Sequence, residues 1–201
     1  AVLTADGRGE RTSMLLGEYQ GGRLVVHAEQ WLPHSLGLMY EELTEHLGFR
    51  RSSDEYKVMA LASYAKPRFW QDFADLVQVE PGGVRVAPID WGRWAPRRRD
   101  GDDEMLAEHA ELAASVQTRL EEVLLELAGW LHRRTGQRSL ALAGGVALNC
   151  VANTRLADES PFERVWVQPA SGDAGTALGA ALHLAAQHGP VRPPIGADLG
   201  R

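Results

Sequence analysis

The chain has 201 residues, 44% hydrophobic and 24% charged, with a formal net charge of −6, which suits a globular domain with one sizeable core. No segment approaches the roughly 18 to 20 uninterrupted apolar residues of a membrane span, and the acidic balance gives no general footprint for nucleic acid or anionic membrane. A lone cysteine, Cys150, cannot form an intrachain disulfide and points to a reducing, cytoplasmic setting.

The chain enters at once on the apolar run Ala1-Val2-Leu3, with no basic leader or apolar signal segment, and reads as a fragment that begins inside a strand. Val2 to Thr4 predicts a strand ending in the turn Asp6-Gly7-Arg8-Gly9, with Met14 to Gly17 and Leu24 to Val26 as further strands of a meander. From Ser35 to Leu47, apolar Leu36, Met39, Tyr40, Leu43 and Leu47 recur at helical steps, and Gly48 supplies a stop. A second helix is expected over Tyr56 to Tyr64. Between Glu80 and Gly101 the density of Gly and Pro predicts an irregular surface excursion, with Arg97-Arg98-Arg99 beside Asp100, Asp102, Asp103 and Glu104 as a solvated mixed-charge loop. The longest helix should run from Asp103 to Thr135 on a stripe of Leu112, Val116, Leu120, Val123, Leu127, Trp130 and Leu131, stopped by Gly136. Then the pattern alternates: strand Ser139 to Ala143, turn Gly144-Gly145, helix Val146 to Leu156, strand Arg164 to Val167, helix Asp173 to Gln187. That alternation predicts an α/β domain over 1–189, with 190–201 a linker leaving it.

Three short stretches are candidates to carry chemistry. Gly144-Gly145, between a buried strand and a helix, serves either a tight turn alone or the close approach of a nucleotide to free helix N–H groups. Asp173, at the head of an Ala-rich helix after Gln168 to Gly172, either caps that helix or ligates a divalent metal through oxygen. Asp6-Gly7-Arg8-Gly9 is either a plain hairpin turn or a phosphate-facing turn of a nucleotide site.

Taken in order, Pro33 to Tyr40, Glu55 to Ala62, Ala143 to Asn153 and Gly172 to Ala180 resemble the O-carbamoyltransferase family of Nod-factor, cephem, aminoglycoside and ansamycin modification over nearly the whole chain. The resemblance implies an ATP-binding, Kae1-like ASKHA fold (the actin, heat-shock ATPase and sugar-kinase superfamily), of which this chain is mainly the second lobe. It also implies an N-terminal lobe and a C-terminal YrdC-like domain outside the span. That domain makes carbamoyl adenylate from carbamoyl phosphate and ATP, and the lobes pass the carbamoyl group to a hydroxyl of a small natural product.

On this resemblance Asp6, Gly7 and Gly9 match a phosphate loop, Gly144, Gly145 and Asn149 the nucleotide-binding motif, and Gly172 and Gly175 flank Asp173, which matches a ligand of a divalent metal, iron(II). In the family that Asp works with an upstream His-x-x-x-His helix, a pairing that none of the seven histidines forms here. His34 and Lys57 fall in family motifs and stand with Asp6 as candidate catalytic residues. His34 serves either as a base or as a packing and capping partner, and Lys57 either neutralises phosphate or pairs with an acid such as Glu55. One departure stands out: Ala60-Leu61-Ala62-Ser63-Tyr64-Ala65 replaces the family's Gly-Leu-Ala-Pro-Tyr-Gly, with loss of two glycines and a proline. Two alternatives stay open, a tRNA threonylcarbamoyl transferase, against which the acidic balance argues, and a non-catalytic nucleotide-binding module.

Overall fold

A computed structural model describes residues 1–99 and 104–191. The opening meander forms β1 (Val2–Ala5), β2 (Thr12–Gln20) and β3 (Arg23–Trp31), all antiparallel. β2 and β3 turn on Gly21-Gly22 alone, both at positive φ, as a two-residue hairpin whose twist matches its strands requires. After α1 (Leu36–His46), α2 (Glu55–Ala62) and α3 (Trp70–Leu76) comes a separate hairpin, β4 (Val77–Glu80) and β5 (Gly83–Val86). Then follow α4 (Ala107–Thr135), β6 (Ser139–Ala143), α5 (Cys150–Glu159), β7 (Arg164–Val167) and α6 (Gly175–His188). β6 pairs parallel to β1 and β7 parallel to β6, giving one five-stranded mixed sheet in the order β3-β2-β1-β6-β7.

Period-two alternation puts Leu3, Ala5, Leu140 and Leu142 on one buried face. The helix layer carrying α4 packs on that face. Its stripe of Leu112, Val116, Leu120, Val123, Leu127 and Leu131 is at most 2% exposed, as the helical spacing predicts, while Trp130 is only partly buried. Gly136 ends the helix in the left-handed region and donates to the His132 carbonyl. No helix among the described residues is long and apolar enough to cross a membrane.

The expectation of an irregular surface excursion after Glu80 needs correction. Trp91 and Trp94 are buried and meet Phe73 of α3 at ring-centroid distances of 5.9 and 4.9 Å, and Trp94 donates its indole N–H to Asp72 at 2.8 Å. Aromatic anchoring makes this segment part of the core. The four-residue strands are too short for alternation to register, and the Gly and Pro density masked them. The Arg cluster is partly tied down: Arg97 pairs with Glu45 at 2.7 Å and Arg98 donates to the Leu47 carbonyl at 2.8 Å. Asp100, Asp102 and Asp103, the expected start of α4, and nearly all of the expected linker lie outside the described residues.

His46 gives this packing a pH dependence. Burial holds its imidazole below the ordinary 6.5, against the opposing pull of its hydrogen bond to the Ala95 carbonyl. The unfolded chain therefore takes up a proton first as pH falls, so this residue's contribution is full above 6.5 and drains below it. The urea midpoint should drop between about pH 7 and pH 5.5, and drop less in His46→Gln. An identical pH response in both would remove His46 as a cause.

Candidate functional site

The parallel strands β1, β6 and β7 release their loops at the same, carboxyl edge of the sheet, where α/β proteins place ligands. Asp6-Gly7 follows β1, Gly144-Gly145 follows β6, and Gly172-Asp173 follows β7. Backbone contacts knit these loops together. The Gly144 N–H donates to the Ser171 carbonyl at 2.7 Å, and Gly144, at φ 96°, lies so close to Ala5 that any Cβ there would strike the Ala5 carbonyl oxygen. The Asp6 N–H donates to the Ser13 carbonyl at 2.8 Å. From above, Ser35 shares its hydroxyl between the carbonyls of Asp6 (3.0 Å) and Gly7 (2.6 Å) while accepting the Leu38 N–H as the N-cap of α1.

Between these loops, α1, α2 and α4 lies a cleft of about 330 Å³, a size that suits a small ligand. Its floor is a buried polar network. Tyr40 donates to Gln117 Oε1 at 2.8 Å, and Gln117 and Asn149 bond each other amide to amide at 2.9 and 3.1 Å. Gln117 also donates to Glu121 at 2.7 Å, and Glu121 accepts from Arg155 at 3.1 Å. Burial, reinforced by the charges of Glu121 and Glu55, pushes the Tyr40 phenol far above its ordinary range, so it stays a neutral donor. Asn149 has a second duty, since its Oδ1 accepts the Ala152 N–H and caps α5. Asn149→Ala should therefore lower stability by about 2 to 3 kcal/mol, summing a lost cap with a buried amide left short of partners. Asn149→Ser, which keeps a capping oxygen, should recover about 1 kcal/mol of that in urea unfolding. Equal losses would show that the cap contributes nothing.

Asp6, Gly7, Gly145, Asn149, Gly172 and Asp173 all line this one cleft. The structure does not bring Gly9, Gly144, Gly175, His34 or Lys57 into its lining. Gly9 closes the β1–β2 connection by donating to the Thr12 carbonyl at 2.8 Å, and Gly175 packs beside the Ala170 carbonyl. His34 faces away: its Nδ1 sits 3.1 Å from the Val86 carbonyl oxygen and 3.3 Å from the Val86 N–H of β5, a pair that one tautomer cannot satisfy together. Lys57 binds Asp54 at 2.8 Å and lies 5.8 Å from the ring centroids of Phe49 and Tyr56. The single expected helix from Val146 is broken, a short 3₁₀ turn giving way at Asn149 to α5, because the Asn149 side chain caps a new start. α6 begins at Gly175, two residues after Asp173, with Ala174 and not Asp173 at its N-cap position.

Sequence reasoning missed Glu41, Ser52, Glu55 and Tyr56 of the lining and Gln117 of the floor. A signal for the floor existed: Gln117 and Glu121 are polar residues four apart inside the buried stripe of α4. Four carboxylates (Asp6, Glu41, Glu55 and Asp173) and no Lys or Arg line the cleft among the described residues. No group of three or more His, Cys, Asp or Glu among them could hold a metal ion, so the residues present do not by themselves make a metal centre around Asp173.

Residues 1–182 match the family profile described as carbamoyltransferase N-terminus. An uncharacterized protein of Synechocystis sp. is 38% identical over 200 residues, covering 92% of this chain and 32% of that protein. The nodulation protein NolNO of Sinorhizobium fredii is 37% identical, covering 96% and 29%, and the nodulation protein NolO of Bradyrhizobium diazoefficiens 37% identical, covering 96% and 36%. The chain thus spans about a third of the length of these curated relatives. With a match running from the first strand into the last helix, through every loop that reaches the cleft, the chain belongs to the carbamoyltransferase family.

Proposed function

We propose that this chain is part of an ATP-dependent O-carbamoyltransferase of ASKHA, Kae1-like architecture, which moves a carbamoyl group from carbamoyl phosphate, by way of carbamoyl adenylate, to a hydroxyl of a small molecule in the cytoplasm. The observation that carries the reading is the convergence of Asp6, Gly145 and Asp173, from three separate strand ends, on one cleft in a chain of this family. In the transfer step the acceptor oxygen attacks the carbamoyl carbon, a new C–O bond forms, and the bond from that carbon to the AMP phosphate oxygen breaks. AMP leaves. Asp6 takes the hydroxyl proton, and the bare backbone at Gly145 and Gly172 admits the nucleotide.

The acid-rich lining leaves the counter-charge for phosphate to residues outside this span, with the N-terminal lobe and YrdC-like domain as its source. A divalent metal would likewise take further ligands from there, with Asp173 its one donor here. His34 and Lys57 act at a distance as positioning residues. His34 accepts the Ser13 hydroxyl on its carbonyl at 2.7 Å beside the Asp6 loop, and Lys57 holds Asp54 under the Arg50 to Ser53 turn.

The test uses the full-length protein with ATP, carbamoyl phosphate and a panel of hydroxylated small molecules. Pyrophosphate release that depends on carbamoyl phosphate, and AMP release that rises with one of the acceptors, are the expected results. Absence of the first, or salt-sensitive stimulation by tRNA in place of a small acceptor, would overturn the reading.

A further inference from the structure

The Arg50 to Ser53 turn, beside the cleft, holds a left-handed backbone conformation. Ser52 has φ 58°, the one positive value at a non-glycine position among the described residues, and such outliers persist where their surroundings hold them. Two cleft-lining glutamates do the holding. The Ser52 N–H donates to Glu55 Oε1 at 2.7 Å, and its hydroxyl donates to Glu41 Oε2 at 3.2 Å. Arg51 donates to the same Glu41 Oε2 at 3.0 Å. The two oxygens of Glu41 are therefore inequivalent: Oε2 is pinned by the turn, while Oε1 extends over Gly7, where a Cβ would meet it at 2.5 Å.

We infer that Glu41 determines acceptor specificity, its Oε1 receiving a hydrogen bond from an acceptor hydroxyl next to Asp6. This rests on the carbamoyltransferase reading and deepens it. An ionised carboxylate only accepts hydrogen bonds, so a group seated on Oε1 must be a donor. Asp6 and Glu55 line the same cleft, and no Lys or Arg does among the described residues. The acceptor is accordingly a neutral or cationic polyol, and an anionic one is rejected by like charge. Because Arg51 and Ser52 fix Glu41 before any ligand arrives, the oxygen is presented with little ordering cost.

The experiment takes the full-length protein and three probes of similar size, methyl β-glucoside, glucosamine and gluconate, with binding read by saturation-transfer NMR titration. Wild type should bind the first two and exclude gluconate. Glu41→Gln, which keeps shape and removes charge, should weaken methyl β-glucoside about tenfold and glucosamine more, while gluconate stays excluded by Asp6 and Glu55. A merely structural role would weaken methyl β-glucoside and glucosamine alike. Arg51→Ala, which frees the carboxylate without removing it, should weaken methyl β-glucoside while still excluding gluconate. Failure of wild type to bind methyl β-glucoside, or the same ratio of glucosamine to methyl β-glucoside affinity in wild type and Glu41→Gln, overturns the inference. Carbamoyl phosphate-dependent pyrophosphate release, measured on the same preparations, separates the two levels. Its loss in wild type would sink the carbamoyltransferase reading, whereas its persistence with an unchanged affinity ratio would sink Glu41 alone.

Discussion

Asp6→Asn is expected to lower carbamoyl transfer by the full-length protein about 10² to 10⁴ fold, the range lost when a positioned acid–base group is removed, while pyrophosphate release from ATP continues. The asparagine is nearly isosteric and still accepts the Gly7 N–H, which Asp6 Oδ1 receives at 2.7 Å. The loop stays anchored through Ser13 and Ser35, which bond to backbone and ignore the substitution. What disappears is the carboxylate proposed to take the acceptor's proton. Comparing AMP release with acceptor against AMP release to water measures the effect directly. A transfer rate within threefold of wild type would show that Asp6 only shapes the loop, and the base would have to be sought among Glu41, Glu55 and Asp173, which share the cleft.

How much of this could be read beforehand follows from the length scale of each signal. α4 was legible because a 29-residue helix repeats its apolar stripe many times, and β6 and β7 because short apolar runs stand between strong breakers. The six loop residues that meet in the cleft were legible as glycines, an asparagine and aspartates at strand ends. Their company was not, since Glu41, Ser52 and Tyr56 reach the cleft from exposed or half-exposed positions on α1, α2 and the turn between them. No periodicity marks a residue whose importance lies in facing a loop more than thirty positions away. His34 shows the converse limit. A histidine before a helix looks the same in sequence whether its ring points to the cleft or, as here, to the backbone of β5. The buried Trp91 and Trp94 were missed because turn-forming residues around them outweighed two aromatics whose partner, Phe73, sits on another element.

Gly144→Ala should be the most damaging single change to the fold near the site, and its neighbour supplies the contrast. At φ 96° and ψ 168° the residue occupies a region essentially reserved for glycine. An alanine Cβ would strike the Ala5 carbonyl oxygen and come within 2.7 Å of the Ala5 carbonyl carbon, both backbone atoms of β1 with no rotamer to escape into. The strands must separate where Thr4 faces Ala143, so strain of about 1 to 3 kcal/mol adds to overpacking of about 1 to 3 kcal/mol. A total near 4 kcal/mol corresponds to a roughly thousandfold faster amide exchange across β1 and β6, which hydrogen–deuterium exchange reads in place. Gly145→Ala meets something softer. Its φ is not positive, and its Cβ would meet the Asp6 Oδ1 at 2.8 Å, the end of a side chain that can swing aside. That variant should exchange within a few fold of wild type and yet lose transfer activity, because the displaced carboxylate is the one proposed to take the proton. Slow, wild-type exchange in Gly144→Ala would mean that β6 does not pass β1 this closely, and with it would go the argument that the two strand ends share one ligand.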